Sequence, residues 1–173
     1  MTCSNNMCGI LAIFGEEVEV PSWLLTHRGP DDYGYKVIGK CRMDFYRLSI
    51  NDLSPTGMQP FVERKTMLVC NGEIYNHRRF RVGSEKGSSD CEILLPLINK
   101  VGLMRTVNAI NGDFAMVHTN GKRIMAARDP VGVRPLFYTR YTDNSIAFAS
   151  EVKALMFLNS EIHIFPPGHI YDS

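Results

Sequence analysis

Apolar and polar positions along this chain change side in short runs, with helical spacing confined to a few places. Asp113-Phe114-Ala115-Met116-Val117-His118-Thr119 alternates, meets Asn120-Gly121, and resumes as Lys122-Arg123-Ile124-Met125-Ala126-Ala127. An Asn-Gly pair between two such runs predicts a hairpin, because both residues tolerate the turn that matches strand twist. Leu136 to Arg140 and Ile146 to Ala149 flank a polar turn and predict a second hairpin. Phe45 to Ile50 and Thr66 to Cys70 read as further strands. The clearest helix starts at Ser89. Ser89-Asp90-Cys91-Glu92 fits a capping box, and apolar residues follow at Ile93, Leu94, Leu97, Ile98 and Val101. Pro96 inside it predicts a kink, since proline removes a backbone donor and crowds the preceding turn at about 3 kcal/mol. A second helix is expected from Glu151 to Leu158. Hairpins and helices without a repeating strand-helix-strand order favour layers built on antiparallel sheets.

Composition narrows the class without naming a chemistry. A chain of 173 residues suits one domain, burying roughly 70% of the surface its unfolded form would expose. Its hydrophobic fraction of 45% and charged fraction of 21% are those of a soluble globular protein. A formal charge of +1 gives no footprint for nucleic acid or an anionic membrane. No apolar run approaches the roughly 18 residues a membrane helix needs. Met1 to Asn6 lack the basic and apolar regions of a secretory signal, so a cytoplasmic location is expected. The 5 cysteines are odd in number, and no two have Cys-x-x-Cys spacing, which argues against a disulfide framework or a zinc site. Cys41, Cys70 and Cys91 read as small buried hydrophobes.

Cys8 is different. It follows Met7 and opens the run Cys8-Gly9-Ile10-Leu11-Ala12-Ile13-Phe14. A cysteine at a chain's first position carries its own base, because its α-amine, with a pKa near ~8, can take the thiol proton directly or through one water. With residues 1–7 in place, its nitrogen is an amide and no base. Arg47 alternates with Tyr46, Leu48 and Ile50 and so faces away from them, where its planar fork suits a carboxylate or plain solvent. Asn71-Gly72 is either a turn or a pair of donors for one oxyanion. Asp90 sits in the first turn of its helix, where the dipole favours an acid and an ammonium group would also be received. His27-Arg28-Gly29-Pro30-Asp31 and Arg128 to Pro135 read as constrained loops. His27 is a candidate general base by residue type alone.

Taken together, these strings closely resemble a class II glutamine amidotransferase domain of the N-terminal-nucleophile hydrolase superfamily, nearest to the glutaminase half of asparagine synthetase. The resemblance rests on Met7-Cys8-Gly9-Ile10, His27 to Asp31, Arg47-Leu48-Ser49-Ile50-Asn51-Asp52 and Gly57-Met58-Gln59-Pro60. It continues through Asn71-Gly72-Glu73-Ile74-Tyr75-Asn76-His77, Ser89 to Glu92, Arg128 to Phe137, Ala149 to Leu155 and Pro166-Pro167-Gly168-His169, in the family's order. It implies an α+β fold, a four-layer αββα sandwich of two antiparallel sheets. By position it makes Cys8 the nucleophile and Asn71 with the Gly72 N–H the oxyanion hole. Arg47 is then the clamp for the α-carboxylate of L-glutamine, and Asp90 with Glu73 the partner of its α-ammonium. Leu48, Ser49, Ile50 and Asn51 are expected along the pocket. No cofactor and no metal are implied.

The same resemblance divides the chain into a leader, 1–7, removed or not translated, and an amidotransferase domain, 8–173. If the leader stays, the domain is instead a silent glutamine-binding module. No Ser-Gly-Gly-x-Asp-Ser loop or Walker A string for ATP is present. Ammonia is therefore expected to pass to a separate ATP-dependent synthetase subunit or domain. The stretches from Phe14 to His27 and from His77 to Ser88 are shorter than the family's usual segments.

Overall fold

The computed structural model describes residues 7–49, 57–81 and 89–173. Ile50 and Asn51 therefore lie outside the described residues, as do positions 1–6. The chain folds into two antiparallel sheets laid face to face. The first contains β1 (Gly9–Phe14), β2 (Asp32–Ile38) and β3 (Cys41–Arg47). The second receives β4 (Phe61–Glu63) and β5 (Thr66–Ile74), then β6 (Gly112–Thr119) and β7 (Ile124–Arg128). The chain returns to the first sheet with β8 (Phe137–Thr142), β9 (Ser145–Ala149) and β10 (Ile162–Ile164), and ends in the second with β11 (Ile170–Asp172). Strand order is β10-β8-β9-β1-β3-β2 in one sheet and β11-β7-β6-β5-β4 in the other.

Side-chain alternation assigns each strand residue a layer. Ile10 and Ala12 of β1, Met43 and Phe45 of β3, Met67 and Val69 of β5, and Ala115 and Val117 of β6 meet between the sheets. The other face of β5 and β6, with Leu68, Cys70, Phe114 and Met116, packs under α1 (Leu94–Val101) and α2 (Leu103–Ala109). On the opposite outer face, Leu11, Ile13, Tyr46 and Ala147 are covered by Leu25, Ala154 and Leu155. The layering is the expected sandwich. Its second outer layer is thin, made of single 3₁₀ turns at Ser22–Leu25, Val152–Ala154 and Met156–Leu158.

Both sequence-predicted hairpins form, as β6-β7 and β8-β9. At the first, Gly121 takes a positive φ of 81°, and the Asn120 Oδ1 accepts the Lys122 and Arg123 N–H groups at 3.0 and 2.9 Å. The helix expected over Glu151 to Leu158 is instead two 3₁₀ turns. There the Leu155 N–H reaches Val152 O and the Leu158 N–H reaches Leu155 O, a three-residue repeat that lets Leu155 and Leu158 both pack on the sheet. The segment after Ser89 also departs from expectation. It opens as a 3₁₀ turn, Asp90–Ile93, without a side-chain cap at Ser89. Pro96 therefore falls in the first turn of α1 rather than mid-helix. There a missing N–H costs little, and the 3₁₀-to-α change takes the place of a kink.

Candidate active site

At one end of the sandwich the inward-facing positions carry polar side chains and line a pocket. Cys8 continues the inward series Ile10, Ala12; Arg47 continues Met43, Phe45; Asn71 continues Met67, Val69. Alternation alone thus points all three into one pocket. That pocket is also lined by Leu48, Gly72, Glu73, Asp90 and Arg134. Tyr46 packs in the outer cluster, as its alternation with Arg47 requires.

The Cys8 thiol meets the end of β3. Its Sγ donates to Leu48 O at 3.5 Å and accepts the Leu48 N–H at 3.3 Å. Burial raises the Cys8 pKa above its ordinary value. The Leu48 hydrogen bond and the charges of Arg134 and Arg47 oppose this without cancelling it. The thiol therefore needs a base to become a nucleophile near neutral pH.

Asn71 is 2% exposed, and its Nδ2 has no hydrogen-bond partner among the described residues. Buried amide donors are nearly always satisfied, so such a donor lining a pocket points to a ligand acceptor. Gly72, next along β5, is required sterically: a Cβ there would stand 2.2 Å from Asp113 O and 2.7 Å from Phe114 Cα. Across the pocket, Asp90 Oδ2 accepts the Ile74 N–H at 2.5 Å. The Ser89 side chain makes no cap, and the Glu92 N–H goes to the Ser89 carbonyl instead.

Two loops buttress these groups. Asp31 accepts the Ser49 N–H at 2.7 Å, and its own N–H donates to Arg47 O at 3.1 Å, so 27–31 fixes the chain as it leaves β3. In the other loop, Asp129 Oδ1 accepts the N–H groups of Val131, Gly132 and Val133, while Arg128 donates to the carbonyls of Gly132, Arg134 and Phe165. The result presents Arg134, whose Nε lies 2.9 Å from Asp113 Oδ2 and whose Nη2 lies 3.8 Å from Glu73 Oε1.

Of the residues singled out in the sequence, Cys8, Arg47, Leu48, Asn71, Gly72, Glu73 and Asp90 come together. Ser49 is not among the pocket-lining residues, its N–H being turned to Asp31. His27 is not brought to Cys8; it is half exposed, with Nε2 2.8 Å from Glu151. Sequence reasoning gave no role to Arg134, nor to Gln59, whose side chain brackets Cys70 by accepting its N–H at 2.7 Å and donating to its carbonyl at 3.0 Å. Both stood in the strings that carry the resemblance, and that was the available signal. Among the described residues no cluster of three or more His, Cys, Asp or Glu could hold a metal. No described helix is long and apolar enough to cross a membrane.

Residues 7–167 match the glutamine amidotransferase domain. The chain belongs to that family. Asparagine synthetase [glutamine-hydrolyzing] 3 of Arabidopsis thaliana is 40% identical over 185 residues, covering 96% of this chain and 32% of that protein. A probable asparagine synthetase [glutamine-hydrolyzing] of Acanthamoeba polyphaga mimivirus is 38% identical, covering 86% of this chain and 30% of its own length. The chain thus spans about a third of the length of these relatives. Among solved structures, glutamine phosphoribosylpyrophosphate amidotransferase from B. subtilis superposes with a TM-score of 0.79 at 19% identity, over 95% of this chain and 47% of that one. The amidotransferase fold is shared with that enzyme, while the sequence is of asparagine-synthetase type.

Proposed function

We propose that this amidotransferase domain hydrolyses L-glutamine to L-glutamate and ammonia through a thioester on Cys8. The observation that carries this reading is the buried, unpartnered Asn71 amide in the same pocket as the Cys8 thiol. Arg47 and Asp90 supply one fixed positive and one fixed negative charge, the pair a zwitterionic amino-acid head requires. Bound by that head, glutamine lays its side-chain amide between Cys8 Sγ and Asn71 Nδ2. The Cys8 α-amine takes the thiol proton, the thiolate attacks the amide carbon, and the oxyanion is received by Asn71 Nδ2 and the Gly72 N–H. The proton passes to the departing nitrogen, ammonia leaves, and water cleaves the thioester through a second oxyanion.

This chemistry requires Cys8 to be the first residue of the active form, with residues 1–7 absent from it. Ammonia then goes to an ATP-dependent synthetase domain or subunit, a role suggested by relatives of which this chain matches only a third. A second reading is favoured by Met7, which lines the pocket beside Cys8. With Met7 in place the domain binds glutamine and does not cleave it.

Glutaminase assays on protein of known intact mass test both readings. Hydrolysis by chains that begin at Cys8 is expected, with binding alone by chains that retain Met7. Asn71→Ala is expected to lower kcat on the order of 100- to 1,000-fold. Wild-type turnover in that variant removes the oxyanion role.

A further inference from the structure

Cys8 lies just outside the ladder that holds its strand, since pairing of β1 with β3 begins at Gly9 and Tyr46. Its carbonyl is fixed by a side chain instead: Arg28 Nε donates to Cys8 O at 3.2 Å. Arg28 is 6% exposed, and its Nη1 donates to Glu151 Oε1 at 3.0 Å. A buried guanidinium is tolerated only when paired, so Glu151 decides where Arg28 sits. The preceding residue anchors Glu151 to the same strand: Ser150 Oγ accepts the Ile10 N–H, and the Ser150 N–H donates to Ile10 O, each at 3.0 Å. On its solvent side Glu151 meets His27 at 2.8 Å and Lys153 at 3.2 Å. Burial pushes the Glu151 pKa up, but hydrogen bonds from Arg28, His27 and Lys153 outweigh it and hold the carboxyl below its ordinary value.

We propose that Glu151 is a positioning residue for Cys8, acting through Arg28 to fix the main chain of the nucleophile while touching neither the thiol nor the substrate. The proposal rests on the amide-hydrolysis reading above. It separates the 149–155 segment into two duties, with Ala154 and Leu155 packing on the sheet and Glu151 setting the aim of the thiol. Substrate anchoring stays with Arg47 and Asp90, while Glu151 pairs with Arg28, His27 and Lys153.

The test combines glutaminase kinetics with the pH dependence of Cys8 alkylation by iodoacetamide, read by peptide mass on the same preparations. Glu151→Gln is expected to lower kcat on the order of 10- to 100-fold, the cost of a misplaced reacting group. KM should stay within about twofold, since ground-state binding is untouched. Arg28→Lys, which cannot bridge both partners, is expected to match that loss, with the double variant no worse than either single one. Glu151→Asp is expected to recover part of the rate. The Cys8 alkylation midpoint should move to lower pH in Glu151→Gln, because the Arg28 charge is no longer balanced.

Wild-type kcat in Glu151→Gln, a KM that rises in step with the fall in kcat, or additive losses would overturn the proposal. So would loss of the folded state in both Glu151 variants and in Arg28→Lys, which would make the contact purely structural. Absence of turnover in the wild type would count against the hydrolase reading alone. The alkylation midpoint then decides, an unchanged midpoint in Glu151→Gln overturning the positioning role and a lowered one supporting it.

Discussion

Arg47 reaches the pocket from the last position of β3, where its backbone carbonyl is held by the Asp31 N–H. A guanidinium on so fixed a stem presents two parallel donors to a carboxylate, a geometry an ammonium cannot copy. Arg47→Lys keeps the charge and loses the fork. We expect it to raise KM for glutamine on the order of tenfold, about one charged hydrogen bond, with kcat little changed. A fall in kcat at constant KM would show instead that Arg47 acts on the reacting centre. The position was legible in the sequence because strand alternation is local: Tyr46 inward or outward decides Arg47. Cys8 and Asn71 were legible instead through the strings Met7-Cys8-Gly9-Ile10 and Asn71-Gly72-Glu73-Ile74 that carry the resemblance, and the structure adds that both line one pocket. Arg134 and the Arg28-Glu151 pair were not, since a loop conformation and a contact across 123 positions leave no periodic trace.

At the level of elements, the β5-β6 ladder carries the tightest constraint near the pocket. Gly72 faces Phe114 in that register, and its Cα lies so close to Asp113 O that a methyl would stand 2.2 Å away. The obstruction is backbone, which cannot swing aside as a side chain can. Gly72→Ala is therefore expected to destabilise the fold by about 1–3 kcal/mol, the usual cost of overpacking. A lowered urea midpoint at unchanged slope would show it, whereas a wild-type midpoint would mean that the ladder opens freely. The two hairpins could be anticipated because their periodicity and turn residues agree, whereas the pairing of two sheets was implied only by the family resemblance. The helical segments were less legible. Apolar spacing fits an α-helix and successive 3₁₀ turns almost equally well over so few residues, and the choice was made by packing on the sheets and by the pull of Ile74 on Asp90.

Across the whole molecule, the response to acid should come first from a residue far from any proposed chemistry. His118 of β6 is 3% exposed, on the face that bears Phe114 and Met116 toward the helices, and neither ring nitrogen has a partner among the described residues. Burial lowers its pKa from 6.5 to about 4. The folded state thus refuses a proton that the unfolded chain accepts. Above pH 6.5 both states are neutral at this position, and its titration adds no pH dependence to stability. As pH falls from 6.5 toward 4 the unfolded chain gains the proton alone, so stability declines, by about 3 kcal/mol in all. Glu151 titrates below 4.5 in the folded protein, so its own contribution is lost only at lower pH. His118→Leu replaces two unpartnered polar atoms by a side chain of similar bulk. It is expected to flatten the decline between pH 6.5 and 4.5 and to raise stability at neutral pH, because unmet donors and acceptors in an apolar layer cost about 1–3 kcal/mol. Urea unfolding of both proteins at several pH values measures this directly. An equally steep acid slope in His118→Leu would place the sensitivity elsewhere, whereas a flattened slope with glutaminase kinetics unaltered at neutral pH would separate the stability of the sandwich from the chemistry proposed for the Cys8 pocket.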